Sequence, residues 1–269
     1  MNITEIKELL AQQPSAELLA ELGLDERKGV QRLLTAYFKQ QEAAALEQKR
    51  FFAMLEEEQN FWQAGMKYIA GCDEAGRGPL AGPLVVAAVV LPQDVFISGL
   101  NDSKQVSAAK RDTLYAEVLA KALGFTVNIV GPATIDRLNI YAATKAAMVK
   151  CLTGFKEPIE VALVDAMPLS LPLIHTKSII HGDAKSASIA AASIVAKVTR
   201  DRIMLELDKE FPLYGFAGHK GYGSQSHMEA IEAYGPCCWH RRSYEPIKTM
   251  AKSSNLGTAL DEDRFLVLK

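Results

Sequence analysis

A chain of 269 residues with 49% apolar and 23% charged residues has the balance of a folded globular protein, and its length suits one large domain or an ordinary domain with an appendage. No apolar run approaches the roughly 18 residues of a membrane span, and Met1-Asn2-Ile3-Thr4-Glu5 does not lead a basic segment into an apolar one, so neither a transmembrane helix nor a secretory leader is expected. The net charge of −2 does not mark a nucleic-acid binder; residues 1–66 carry 7 basic against 11 acidic groups and 256–269 carry 2 against 3, leaving a weak excess of +3 on 67–255.

From Thr4 to about Trp62 the chain is rich in Leu, Ala, Glu, Gln and Lys, which favour helix. Val30, Leu33, Leu34, Tyr37 and Phe38 recur on one helical face. Pro14-Ser15 and Gly23 predict breaks, and a long final helix is expected to stop near Gly65. Residues 1–66 therefore read as an accessory helical extension, and their acidic balance favours a packing role over a substrate-gripping one. The composition then changes. Lys67 to Cys72 reads as a strand ending in Asp73-Glu74, followed by a glycine- and proline-rich turn from Gly76 to Pro83. Leu84 to Leu91 is a continuous apolar run, the pattern of a strand covered on both faces. Ala108–Leu123 is helical in pattern, Phe125–Val130 strand-like, and Thr134–Cys151 helical. Val161-Ala162-Leu163-Val164 is a short buried strand running into Asp165, and Ser178–His181 is a candidate further strand. Ser186 to about Phe211 reads as a helix, with loop and helix up to about Lys252. Interleaved strands and helices imply an α/β layered domain over 67–252, and 253–269 reads as a loosely held tail.

Cys72, Cys151, Cys237 and Cys238 match neither a CxxC metal site nor a disulfide framework, and buried thiols in a reducing cytoplasm are the simplest reading.

Most acidic residues are solvated surface groups, but a few stand apart. Asp73 and Glu74 end one apolar strand, Asp165 ends another, and Asp183 precedes a helix. Asp183 could simply cap that helix, and Asp165 could cap a turn before Met167-Pro168. Asp73-Glu74 is harder to explain so, because adjacent acids at a buried strand end repel unless a cation or hydrogen-bond donors balance them. If the four converge, an all-carboxylate set suits Mg²⁺ or Mn²⁺ rather than zinc and fits two-metal phosphoryl chemistry. The glycine-rich turn is not a Walker loop, since no Gly-Lys-Ser/Thr closes it, and neither a GxSxG elbow nor an HExxH pair is present.

Asp73-Glu74-Ala75-Gly76-Arg77-Gly78-Pro79-Leu80-Ala81-Gly82-Pro83 closely resembles the signature of the bacterial ribonuclease HII family. Asn101-Asp102-Ser103-Lys104, Val164-Asp165-Ala166, Gly182-Asp183-Ala184-Lys185, the run Ser188 to Asp201, and His219-Lys220-Gly221-Tyr222-Gly223 resemble it in the same order, so the likeness covers roughly 67–245. The resemblance implies an RNase H-like fold: a mixed five-stranded sheet flanked by helices, with a helical C-terminal region. It maps Asp73, Glu74, Asp165 and Asp183 onto the catalytic metal-binding acids, holding two Mg²⁺ or Mn²⁺ ions. Type III relatives carry threonine at the position of Arg77, so Arg77 points to type II, and the opening segment is similar to the helical extension of some type II enzymes.

A protein that tells RNA from DNA must contact the 2′-hydroxyl, and Gly76 and Gly78 let backbone approach a ribose closely. By the resemblance the Gly76-Arg77-Gly78 turn and Tyr222 read the RNA-to-DNA junction. Ser193, Lys197 and Arg200 share one helical stripe and by similarity grip the DNA backbone; from spacing alone they are an ordinary solvated face. Lys104 matches a family lysine near the cut. The expectation is a cytoplasmic monomer that cuts 5′ of ribonucleotides in RNA–DNA hybrids and in DNA duplexes with a single embedded ribonucleotide. A silent hybrid-binding module is disfavoured by the intact acids, and a DNA-only nuclease by Arg77 and Tyr222. Protein partners, including any docking of the tail to a replication clamp, are not legible.

Overall fold

The computed structural model describes residues 1–253. The expected tail lies outside them apart from Ser253, its first residue. The chain forms two compact units, Met1–Phe52 and a second beginning at Ala53.

In the first unit, α1 (Ile3–Ala11) starts with a capping box: Asn2 accepts from the Glu5 amide, and the Glu5 carboxylate accepts in return. Ser15 caps α2 (Ala16–Gly23) by accepting from Leu18, after the break expected at Pro14-Ser15. The long α3 (Lys28–Ala53) completes a small core of Ile6, Leu10, Leu22, Val30 and Leu34.

The helix expected to run on to Gly65 is interrupted at Met54-Leu55 and restarts as α4 (Glu56–Gln63). No glycine or proline causes the break. The Met54 carbonyl instead accepts the Ala187 amide at 2.8 Å, a tertiary bond that competes with continued helix. Phe61 and Trp62 of α4 pack against Ile69, Val161, Leu163, Ile179 and Ile189 within the second unit.

A five-stranded mixed sheet has the order β3-β2-β1-β4-β5. Strands β1 (Ile69–Ala75), β2 (Leu84–Val90) and β3 (Gly124–Val130) form an antiparallel meander, whereas β4 (Val161–Asp165) and β5 (His175–Ile179) add in parallel beside β1. β2 is buried throughout, as its unbroken apolar run requires. After α5 (Ala108–Lys121) and β3, the single helix expected from Thr134 is two helices, α6 (Pro132–Leu138) and α7 (Ile140–Thr153). Asn139 separates them at φ 67° and ψ 160°, outside helical geometry of either hand, and its side chain accepts from Ala142 to start α7. β5 lies earlier than the Ser178–His181 expectation because it is a polar edge strand without an apolar signal.

The α7 face of the sheet buries Ala70, Cys72, Val86, Ala88, Ala162 and Val164 against Ala143, Ala147, Met148 and Cys151. Cys72 and Cys151 are buried free thiols. The opposite face carries α9 (Ala187–Glu210), reached through the one-turn α8 (Gly182–Lys185). From Ala187 to Ala196 every residue of α9 is buried, and the small side chains there permit close packing. A Cβ on Gly71 of β1 would lie 2.0 Å from the Ser188 backbone, so the helix rests directly on strand main chain. A 3-10 turn (Pro212–Tyr214), α10 (Phe216–His219), α11 (Gln225–Tyr234) and α12 (Ile247–Ser253) complete the described chain.

Candidate active site

Alternation along β1 sends Ile69, Gly71 and Asp73 towards α9 and Glu74 to the other face. Asp73 is 4% exposed. Its carboxylate accepts from the Glu74 amide at 2.7 Å and lies near Ser193 of α9, whose hydroxyl donates to that of Ser103 at 2.9 Å. Asp165 ends the neighbouring β4, and its Oδ1 accepts the Gly182 amide at 2.7 Å, so it caps the entry to α8 rather than a turn at Met167-Pro168. Asp183 sits inside α8, while the cap of α9 is Ser186, which accepts from Ile189. The helix-cap explanation of Asp183 therefore fails; its Oδ2 instead faces Lys104 Nζ at 3.5 Å.

Electrostatics tie these acids together. Burial, then the charge of Glu74, pushes the Asp73 carboxyl well above the usual range, with Asp165 adding to it. Burial also raises Glu74, against the pull of Arg77, whose Nη1 lies 3.2 Å from Glu74 Oε1. Burial and the charges of Asp102 and Asp165 raise Asp183. Burial opposes the charge of Lys104, but Asp102, Asp183 and Asp73 outweigh it and lift its pKa. Such mutual repulsion is what a cation relieves. Glu74 Oε2 is buried and has no hydrogen-bond partner, and the donor set is entirely oxygen, so these residues fit a hard divalent ion chemically. Among the described residues, however, no three His, Cys, Asp or Glu side chains form a finished metal cage. Arg77, Lys104 and the Gly182 amide hold the carboxylates instead.

Asp73, Glu74 and Asp165 share a cavity of about 320 Å³ with Gly76, Arg77, Gly78, Lys104, Ser193, Lys197, Arg200 and Tyr222. Gly76 has φ 94°, and a Cβ there would lie 2.1 Å from Arg200 Nε and 2.8 Å from the Pro83 carbonyl, so the turn demands glycine on two counts.

Two buried arginines, unmarked as such in the sequence reading, hold this turn from beneath. Arg241 is fully buried, and its guanidinium donates to the carbonyls of Gly76 (2.6 Å), Arg77 (2.8 Å) and Gly82 (3.0 and 3.2 Å). The Tyr244 hydroxyl donates to the same Arg77 carbonyl at 2.6 Å. Carbonyl and following amide point opposite ways in a trans peptide, so the amides of Arg77 and Gly78 are turned away from Arg241.

Arg200, expected to grip the duplex, lines the cavity but directs its guanidinium at main chain. It is 1% exposed, and three of its five donors go to the carbonyls of Pro83 (2.9 Å), Lys220 (2.9 Å) and Ala81 (3.1 Å). It ties the turn to the Tyr222 loop, and burial, with Arg241 nearby, pulls its pKa down to about 10. The stripe is not a solvated face either: Ser193 is buried and Lys197 pairs with Asp201 at 2.7 Å. Tyr222 keeps an exposed ring, 47% accessible, beside Gly78. Histidine spacing carried no signal for the cluster behind it. Arg241 had one available cue, an arginine in the loop-rich stretch after Cys237-Cys238, but its depth does not show in one sequence.

A family model described as Ribonuclease HII matches residues 70–246, and one described as Ribonuclease HII N-terminal domain matches residues 2–62. A ribonuclease HII of Bacillus anthracis is 54% identical over 228 residues, covering 85% of this chain and 88% of its own. Among solved structures, ribonuclease H2 from Pyrococcus horikoshii OT3 superposes with a TM-score of 0.59 at 27% identity, covering 69% of this chain and 97% of its own. The RNase HII from Archaeoglobus fulgidus, solved as a complex with PCNA, has a TM-score of 0.57 at 26% identity over 66% of this chain and 95% of its own. The sheet order and flanking helices thus fit the RNase H-like architecture.

Proposed function

Since the chain belongs to the ribonuclease HII family and is a type II ribonuclease H, we propose that it hydrolyses the phosphodiester on the 5′ side of a ribonucleotide, both in RNA–DNA hybrids and at single ribonucleotides embedded in duplex DNA. The observation that carries this reading is the lining of one cavity by strand-end carboxylates together with the Gly76-Arg77-Gly78 turn and Tyr222. Asp73, Glu74, Asp165 and Asp183 would hold two Mg²⁺ or Mn²⁺ ions. Bound there, such ions supply an activated water and charge stabilisation of the leaving oxygen.

The chain's own groups do the rest. The Glu74 amide fixes the Asp73 carboxylate, and the Gly182 amide fixes Asp165, so the ligand oxygens are oriented in advance. The amides of Arg77 and Gly78, turned away from Arg241, are offered to the ribose and its phosphate, where a 2′-hydroxyl distinguishes RNA from DNA. Lys104, 77% exposed, and Arg77 put positive charge at the rim for phosphate. The Tyr222 ring is free to pack on the deoxyribose 3′ of the ribonucleotide. A water oxygen bonds to phosphorus as the bond to the preceding 3′-oxygen breaks. That oxygen takes a proton, giving a 3′-hydroxyl end and a 5′-phosphate on the ribonucleotide. The enzyme is read as a cytoplasmic monomer; among the described residues no helix is long and apolar enough to cross a membrane.

The test is cleavage of a labelled DNA duplex carrying one ribonucleotide, with and without Mg²⁺ or Mn²⁺. A metal-dependent cut immediately 5′ of the ribonucleotide is expected, lost in Asp73→Asn with the fold retained. Cleavage of long hybrids alone would remove the junction-reading claim, and near-normal turnover by Asp73→Asn would remove the metal-site assignment.

A further inference from the structure

Three of the five histidines, His219, His227 and His240, gather behind the loop that carries Tyr222. His227 and His240 are fully buried. Their rings pack on the buried Phe216, with centroids at 5.6 and 5.8 Å, and His219 stacks on His227 at 4.2 Å.

The neighbours of these rings fix every proton. Backbone amides only donate and carbonyls only accept. The Gly221 amide donates to His219 Nδ1 at 3.1 Å, so His219 carries its proton on Nε2, which donates to the Tyr214 carbonyl at 2.8 Å. His227 Nδ1 lies 2.9 Å from the Tyr222 carbonyl and must be the donor there, which leaves its Nε2 a bare acceptor. The Cys237 amide donates to His240 Nδ1 at 3.0 Å, so His240 is protonated on Nε2, facing His227 Nε2 at 3.1 Å. One assignment satisfies all five bonds, with every ring neutral. The Cys237 thiol, 3.2 Å from His240 Nδ1, lies on the ring side away from His227, so the three do not converge on a metal.

We propose that His227 and His240, with His219, are positioning residues for substrate selection: a one-way hydrogen-bond chain from the Cys237 amide through His240 and His227 to the Tyr222 carbonyl holds the Tyr222 ring at the RNA–DNA junction. This rests on the reading of Tyr222 above. The surroundings agree with neutral rings. Burial pulls His227 down to about 4 and, aided by the nearby His227, pulls His240 down to about 3. Protonating His227 Nε2 would set two donors face to face and break the chain. Tyr214, Cys237 and Cys238, with Lys220 and Tyr222 of the loop itself, are titratable groups about this cluster.

The experiment compares the full-length wild type with Tyr222→Ala, His227→Phe and His227→Gln. The readout is the ratio of cleavage at a single embedded ribonucleotide to cleavage of a long hybrid. Losing the chain should lower that ratio about tenfold in His227→Phe, in step with Tyr222→Ala, the scale of one lost buried hydrogen bond. His227→Gln, which can still donate to a carbonyl and accept from His240, should keep it within about threefold. A merely structural role would lower both rates together and leave the ratio alone. Nitrogen-15 histidine spectra at pH 7 should give His227 as the Nδ1–H form and His219 and His240 as Nε2–H forms. Either result overturns the inference: any other tautomer set, or a wild-type ratio in folded His227→Phe while Tyr222→Ala shifts it. An unshifted ratio in Tyr222→Ala would instead sink the reading of Tyr222, with the selectivity claim resting on it.

Discussion

Replacing Gly71 by alanine is the sharpest test of how the site is assembled. The added Cβ would stand 2.0 Å from the Ser188 carbonyl carbon, 2.2 Å from the Ile189 nitrogen and 2.4 Å from the Ser188 oxygen. All three are main-chain atoms, so no rotamer change relieves the overlap. Ordinary contact begins at 3.4 Å, and 3.4 less 2.0 leaves 1.4 Å of separation to be found between β1 and α9. That is close to the rise of one helical residue, about 1.5 Å. Ser193 would move with its helix, losing its bond to Ser103 and its place beside Asp73. Overpacking of a core costs about 1–3 kcal/mol and occasionally more, and the backbone clash puts this case at the upper end. In a unit of this size about 3 kcal/mol lowers Tm by roughly 6–12 °C. Thermal unfolding and metal-dependent cleavage would be measured together, with Gly23→Ala as control because nothing lies within 4 Å of its Cβ position. Wild-type Tm and turnover in Gly71→Ala would refute the close seating of α9 on β1.

Arg241→Lys keeps the charge but loses the fork that holds the carbonyls of Gly76, Arg77 and Gly82. It should destabilise by about 3 kcal/mol in urea unfolding and raise KM; unchanged values would show that the turn holds itself. Glu58 is buried, with Oε1 accepting from Ser186 and Ser188 and Oε2 unpartnered. Burial raises its pKa, so the folded chain retains a proton that the unfolded chain sheds above the ordinary value of 4.5, and stability falls as pH rises from there. Glu58→Gln should therefore gain Tm over wild type between pH 5 and pH 8, and a wild type at least as stable at pH 8 would contradict this. His227 and His240 act oppositely. Unfolded histidine takes up protons below 6.5 while these resist down to about 4 and 3, so stability present above 6.5 is lost on acidification. The slope is at most about 1.4 kcal/mol per pH unit for each ring, and His240→Gln should flatten it in chemical unfolding.

What could be read from one sequence followed from local chemistry. Leu84–Leu91 and Val161–Val164 announce buried strands because both faces are covered, and Ser186–Phe211 announces α9 within a residue or so. Acids ending such strands point to a site before any fold is known. β5 was placed too late because His175-Thr176-Lys177-Ser178-Ile179 is a polar edge whose existence depends on β4 beside it. The break at Met54 comes from the Ala187 amide, 133 positions away, and leaves no local mark. Arg200 is assigned to the DNA backbone by the family resemblance alone; its burial depends on carbonyls from two distant loops, which helical spacing does not show. The histidine chain was hidden for the same reason, since tautomers are set by neighbours in space.

The tie between Arg241 and Gly76 spans 165 positions, and β1 meets β4 only after about 90 residues have intervened. During synthesis the turn beside Asp73 and Glu74 therefore emerges long before the guanidinium that shapes it. At about 5–20 residues per second the interval is roughly 8–33 s. Until then the carbonyls of Gly76 and Arg77 have no Arg241 to organise them, and a nascent or prematurely terminated chain lacks an ordered cleft. The contacts that shape the cleft can therefore all form only when nearly the whole chain has been made.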